Sequence, residues 1–229
     1  MSRKKKKNRL PYNTRETLLK EFKPLNDKQA EFVGSIKSNE ITICKGPSGS
    51  GKTYVALATA LSLLGSKYSE IILIKSVTTV PEEDIGFLPG DANEKMDPFV
   101  MSFTWTIDKI CGKGAAKSLM DKKLITVMPI SYTRGISIDH SIVIIDEVQN
   151  LSFKTFKTLI TRIGDHSKYI LMGDTEQIDR RYQNESPLAV MYDVFSEMDE
   201  MGAVEFTDED CVRNPLIPKV LKELREKGY

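Results

Sequence analysis

Cysteine is scarce in the 229 residues: Cys44, Cys111 and Cys211 are odd in number and far apart. Their spacing excludes a zinc site and a CxxC redox pair, and all three read as small buried apolar residues. Histidine is scarcer still. Neither His140 nor His166 has a metal-spaced partner, so no metal cage is encoded. No apolar run approaches the roughly 18 residues that a membrane-spanning helix requires. The opening MSRKKKKNRL has no apolar stretch behind it and is therefore no secretory signal. A cytoplasmic protein without membrane contact is the expectation.

A strong excess of either charge is also missing, since the net charge is +1. That balance hides an asymmetry. Residues 1–10 hold six basic groups and no acid, and 27 basic against 32 acidic residues leave about −5 on the rest. A mildly acidic body offers no bulk reason to bind nucleic acid; only a local patch would. Residues 1–10 read as a basic, disordered, solvated tail, with an arm that touches phosphates as the sharper alternative. Residues 11–229 read as one domain, long enough to bury well over half of its unfolded surface without disulfides.

What is present is a set of short β-branched runs: EITICK (40–45), EIILIK (70–75), LITVM (124–128), SIVIID (141–146) and KYILM (168–172). Their nearly continuous apolar character predicts strands covered on both faces. Helix-like stretches at 52–64, 98–111, 113–121 and 152–163 alternate with them, and NPLIPKVLKELREKGY predicts a closing helix. Strand–helix alternation predicts a doubly wound α/β domain with a mainly parallel sheet. The proline- and acid-rich 76–97 predicts a long loop of the functional or mobile kind.

GPSGSGKT (46–53) lies between the first predicted strand and the first of these helices, and it fits G-x-x-x-x-G-K-[ST]. Glycine at Gly46, Gly49 and Gly51 lets backbone N–H groups turn inward around phosphate oxygens, with Pro47, Ser48 and Ser50 completing the loop. The positive end of the following helix points at the same place. Lys52 is suited to the β- and γ-phosphates, and the Thr53 hydroxyl to Mg²⁺. A second metal-holding acid is required, and Asp146 at the end of SIVIID meets that need where ligands bind in open α/β sheets. Glu147 beside it suits a base or orienter for an attacking water, which favours hydrolysis over transfer to a small acceptor. The chain contains no NKxD stretch for guanine, so ATP is the expected nucleotide.

Seven segments in this order, GPSGSGKTYVA, GFLPGDANEKMDPF, PISYTRG, IVIIDEVQN, TRIGDHSK, MGDTEQID and CVRNPLI, resemble the PhoH family of P-loop ATPases. That family is related to the nucleotide-binding domain of superfamily 1 helicases, and the resemblance spans about residues 25–222. It departs from the family where Arg-Pro usually follows the second strand, since Lys75 and Ser76 stand there. The resemblance implies a single RecA-like P-loop domain, helices on both faces of the sheet, and Mg²⁺-dependent ATP hydrolysis. It also implies a ring, a hexamer by family likeness, acting on single-stranded nucleic acid, RNA before DNA. Gln177 in MGDTEQID then senses the γ-phosphate, and Gln29 in PLNDKQAEFV reads adenine. The same Asn26-x-x-Gln29 spacing also fits a helix capping box. Arg213 is the first candidate for a finger reaching a neighbouring subunit's nucleotide. Arg134 follows it, facing a neighbour or nucleic acid, with Arg162 as a third candidate. The reading from another class is a nucleotide-gated switch or scaffold with slow ATPase activity.

Overall fold

The structure, a computed structural model, describes residues 22–75, 97–178, 186–214 and 216–227. The basic tail 1–10 and the loop 76–97, apart from Asp97, lie outside the described residues. The chain order is α1 (Asp27–Ser38), β1 (Ile41–Lys45), α2 (Lys52–Leu63), β2 (Glu70–Lys75), α3 (Asp97–Cys111), α4 (Ala115–Asp121), β3 (Ile125–Val127), β4 (Ser141–Asp146), α5 (Phe153–Ile160), β5 (Lys168–Gly173), α6 (Leu188–Ser196), β6 (Met201–Glu205) and α7 (Leu216–Glu226). Among the described residues no helix is long and apolar enough to cross a membrane.

All six strands run parallel, in the order β3-β2-β4-β5-β1-β6. Side chains alternate between the two faces of a strand, so a strand covered on both sides must be apolar throughout. On one face Cys44, Ile71, Leu73, Ile142, Ile144, Ile170 and Met172 pack under α1, α2, α3 and α4. On the other, Ile43, Ile72, Ile74, Val143, Ile145 and Leu171 pack under α5 and α6. This is the RecA-like α/β arrangement the sequence implies, with a sheet that is wholly parallel.

α2 holds the centre of the first layer, and Val55 to Leu61 are buried without a break. A helix apolar around its whole circumference has no solvent face, so its start is fixed as firmly as the core. Parallel strands bring every carboxyl end to one edge, and β5 lies between β1 and β4. The phosphate-loop motif, Asp146 and Asp174 therefore converge at that edge.

Candidate nucleotide site at the carboxyl edge of the sheet

β1 stops at Lys45, and the chain turns through residues 46–51 into α2. Gly46, Gly49 and Gly51 all take positive φ, at 148°, 90° and 88°. At Gly46 the approach is closest: a Cβ there would lie 2.5 Å from the backbone oxygen of Phe206. Gly46→Ala is therefore expected to lower stability by at least about 1–3 kcal/mol through overpacking. Thermal melting checks this, and a melting temperature equal to that of the unchanged protein would contradict it. Gly51, the N-cap of α2, supplies no side-chain cap, and the first turn carries no acid. An uncapped helix start of this kind leaves backbone N–H groups and the positive dipole end directed at the loop.

Lys52 lies within the curve of the loop. Its ammonium donates to the carbonyl oxygens of Gly46 at 2.6 Å and Pro47 at 2.9 Å. One residue on, Thr53 Oγ1 donates to Asp146 Oδ2 at 3.1 Å, joining the start of α2 to the end of β4. The other oxygen of Asp146 accepts the Glu147 N–H at 3.1 Å. Glu147 itself takes left-handed backbone angles, φ 60° and ψ 41°. A non-glycine residue in that region carries local strain of about 1–3 kcal/mol, and such strain clusters at functional sites.

A residue that sequence reasoning missed holds this corner. Gln149 is fully buried, and its Nε2 donates to Glu147 Oε2 at 2.6 Å and to the Gln177 carbonyl at 3.3 Å. Its Oε1 accepts the Asp174 N–H at 3.1 Å. One amide thus links the end of β4 to the turn after β5. The connection continues outward: Asp174 Oδ1 accepts the Glu176 N–H at 2.9 Å, and Glu176 Oε1 accepts from Arg225 of α7 at 2.9 Å. Arg225 also donates to Asp208. With Lys45, Gly46, Pro47 and Asp174, these three residues line a cleft of about 510 Å³ beside the loop. The signal for Gln149 in the sequence is its place in the IVIIDEVQN segment, two residues after Glu147, and Arg225 had none.

The remaining expected site residues fall in four places. Gln29 is only 3% exposed, with Oε1 accepting the Leu25 N–H at 2.9 Å and Nε2 donating to the Ser50 carbonyl at 3.0 Å. That geometry braces the phosphate loop instead of presenting an open amide edge to adenine. The helix-capping reading is met in part, since Asn26 Oδ1 caps α1 by accepting the Gln29 N–H at 2.8 Å. Arg213 lies over the loop of its own chain: the Val212 N–H donates to the Gly49 carbonyl at 3.1 Å, and a Cβ on Gly49 would be 3.3 Å from Arg213 Cδ. Gln177 is exposed, and its N–H donates to the Asp174 carbonyl at 3.3 Å.

Arg134 is exposed on the connection from β3 to β4. Arg162 does not join the site. Its carbonyl accepts from Ile138, which bridges Ile163, next to the start of β5 at the amino edge. From Tyr169 to Gly173 the strand advances about 13 Å, so Arg162 and the loop lie at opposite edges. Of the cysteines only Cys44 is buried; Cys111 and Cys211 are half-buried, and Cys211 lies against Gly49.

The PhoH-like protein family matches residues 21–225. A PhoH-like protein of Bacillus subtilis (strain 168) is 34% identical over 194 residues, covering 85% of this chain and 61% of that protein. One of Mycobacterium tuberculosis (strain ATCC 25618 / H37Rv) is 31% identical over 202 residues, covering 88% and 57%. Protein PhoH of Escherichia coli (strain K12) is 30% identical over 198 residues, covering 86% and 56%. The chain thus spans about three fifths of the length of these curated relatives. Among solved structures, the Hef helicase domain of Pyrococcus furiosus superposes with a TM-score of 0.47 at 12% identity, over 79% of this chain and 37% of that one.

Proposed function

The chain belongs to the PhoH-like protein family, and from that premise we propose a Mg²⁺-dependent ATPase that binds, moves along or remodels single-stranded nucleic acid, RNA before DNA. One observation carries the catalytic part: Thr53 Oγ1 and Asp146 Oδ2 meet at 3.1 Å beside the loop that holds the Lys52 ammonium. A hydroxyl and a carboxylate are the hard oxygen donors that Mg²⁺ takes alongside phosphate. MgATP, when bound, supplies the anhydride to be broken and a cation that offsets its charge. Lys52 and the start of α2 bind and orient the phosphates, while Thr53 and Asp146 hold the metal. Glu147 orients the attacking water and accepts its proton. Gln177 acts as the sensor on the turn after β5, and Gln29 acts through Ser50. We place this work in the cytoplasm.

The direct test is ATP turnover with and without Mg²⁺, single-stranded RNA and single-stranded DNA. Turnover that requires Mg²⁺ and rises with a single strand is expected. No turnover under any of these conditions would remove the ATPase. Turnover indifferent to nucleic acid would leave the second reading, a nucleotide-gated switch. That reading is favoured by the hydrogen-bonded line from Glu147 through Gln149 and Glu176 to Arg225.

A ring, six-membered by family likeness, would shield the exposed edge of the site from water. Arg213 need not come from a neighbour, because its stem lies over Gly49 of its own chain. Arg213→Ala is expected to lower kcat by about 10²-fold, the size of one lost transition-state donor. Mixing Arg213→Ala with Lys52→Ala chains should recover no activity when the arginine acts within its own chain. Recovery on mixing would assign it to the adjacent subunit.

A further inference from the structure

Trp105 is the only tryptophan in the chain, and 82% of it is exposed on α3. Tryptophan is ordinarily well buried, because its large apolar ring gains most from leaving water. The inward face of the α3–α4 pair is already spent on the core through Phe103, Ile107, Ile110, Ala116 and Leu119. The outward face is basic. Residues 109–123 hold five lysines, Lys109, Lys113, Lys117, Lys122 and Lys123, all exposed, against the single acid Asp121. The rest of the surface belongs to a body whose net charge outside residues 1–10 is about −5. Asp108 works on the turn: its carboxylate accepts the N–H groups of Gly114 at 2.9 Å and Ala116 at 2.8 Å. Those bonds fix α4 against α3 and hold the Asp108 carboxyl below its ordinary pKa. Lys109, one turn beyond Trp105 on the same face, places its ammonium 5.8 Å from the ring centroid of Tyr54, the second residue after Lys52 in α2.

We propose that the α3–α4 surface is a docking platform for single-stranded nucleic acid, on which a base stacks against Trp105 while Lys109, Lys113 and Lys117 meet phosphates. An aromatic face beside a row of cations matches a polyanion with flat bases, and every base has a face to stack. The lysines alone would also suit the acidic remainder of a second copy; the exposed Trp105 ring beside them, a stacking face for a flat base, is what selects a strand as the occupant. The proposal rests on the nucleic-acid part of the function above.

Because there is one tryptophan, its emission reports this surface alone. The full-length chain is titrated with fluorescein-labelled uridine and thymidine oligomers of about 16 nucleotides, the upper site size of a single binding fold. Anisotropy reads binding and tryptophan emission reads stacking. Quenching that saturates with binding is expected. Trp105→Ala should bind about tenfold more weakly, and Trp105→Phe should keep most of the affinity. Lys109→Gln, Lys113→Gln and Lys117→Gln together should flatten log affinity against log salt by roughly 0.7 per lysine. Binding with unquenched emission and unchanged variants would overturn this surface and leave the nucleic-acid function standing. No binding at low salt, with or without ATP, would overturn both. A mass in light scattering that falls on Trp105→Ala without any oligomer would mark a contact between copies and overturn the proposal.

Discussion

Glu147→Gln is expected to bind ATP as well as the unchanged protein and to hydrolyse it about 10²–10⁴-fold more slowly, the range for losing a positioned general base. The substitution is nearly isosteric. A glutamine amide can still present its oxygen to Gln149 Nε2, which donates to Glu147 Oε2 at 2.6 Å. The turn and the β5 end should therefore keep their shape, and only proton acceptance is lost. The loop, Lys52 and the Thr53–Asp146 pair are untouched, so binding should persist. A fall in kcat with nucleotide affinity held is the signature of a group used only at the chemical step. Single-turnover hydrolysis beside equilibrium nucleotide titration measures the two separately. Hydrolysis at the full rate would remove Glu147 from the chemistry.

The converse pattern is expected of Lys52→Ala. Its ammonium is held by the carbonyl oxygens of Gly46 and Pro47 inside the loop, where a triphosphate would meet it. A charged hydrogen bond contributes about 1.5–3 kcal/mol, and the loss of more than one corresponds to at least about 10²-fold in affinity. Turnover should become undetectable at nucleotide concentrations that saturate the unchanged protein. The fold should survive, because the apolar face of α2 from Val55 to Leu61 is unaffected. Titration calorimetry paired with circular dichroism checks both halves. Unchanged affinity would mean that the loop, and not the lysine, carries the phosphate contact.

Five of the six strands were legible in the sequence: β1, β2, β4 and β5 are covered on both faces and so nearly continuous in apolar residues, while β3, at the other edge of the sheet, was marked by its β-branched LITVM run alone. β6, MGAVE, escaped because it is an edge strand whose burial alternates, with Gly202 and Val204 inside and Glu205 exposed. α1 was signalled only by the Asn26-x-x-Gln29 capping spacing at its start: its buried residues, Gln29, Phe32 and Ile36, are helically spaced, but only two of them are apolar. At the site, the loop and the Asp146–Glu147 pair were legible because their chemistry dictates residue types at fixed spacing. Gln149 was not, since its function depends on where β5 ends, and strand order is not written in local sequence. The assignments of Gln29 and Arg162 shifted for the same reason. Their neighbours, Ser50 and the amino edge, are set by tertiary packing.

The left-handed backbone at Glu147 bears on how this protein could be made hardier. Among the described residues four that are not glycine share that conformation: Lys123, His140, Glu147 and His166. Three of them lie just ahead of β3, β4 and β5, at the end of the sheet away from the nucleotide loop. Glycine or asparagine would relieve the steric conflict at any of the four, a conflict of about 1–2 kcal/mol per residue. A library selected for heat resistance alone would thus gain by the same route at all four positions. At three it would obtain a tougher protein that keeps Glu147, and at the fourth a tougher protein without the carboxylate. Durability and the proposed water-orienting group are separable at Lys123, His140 and His166, and inseparable at residue 147.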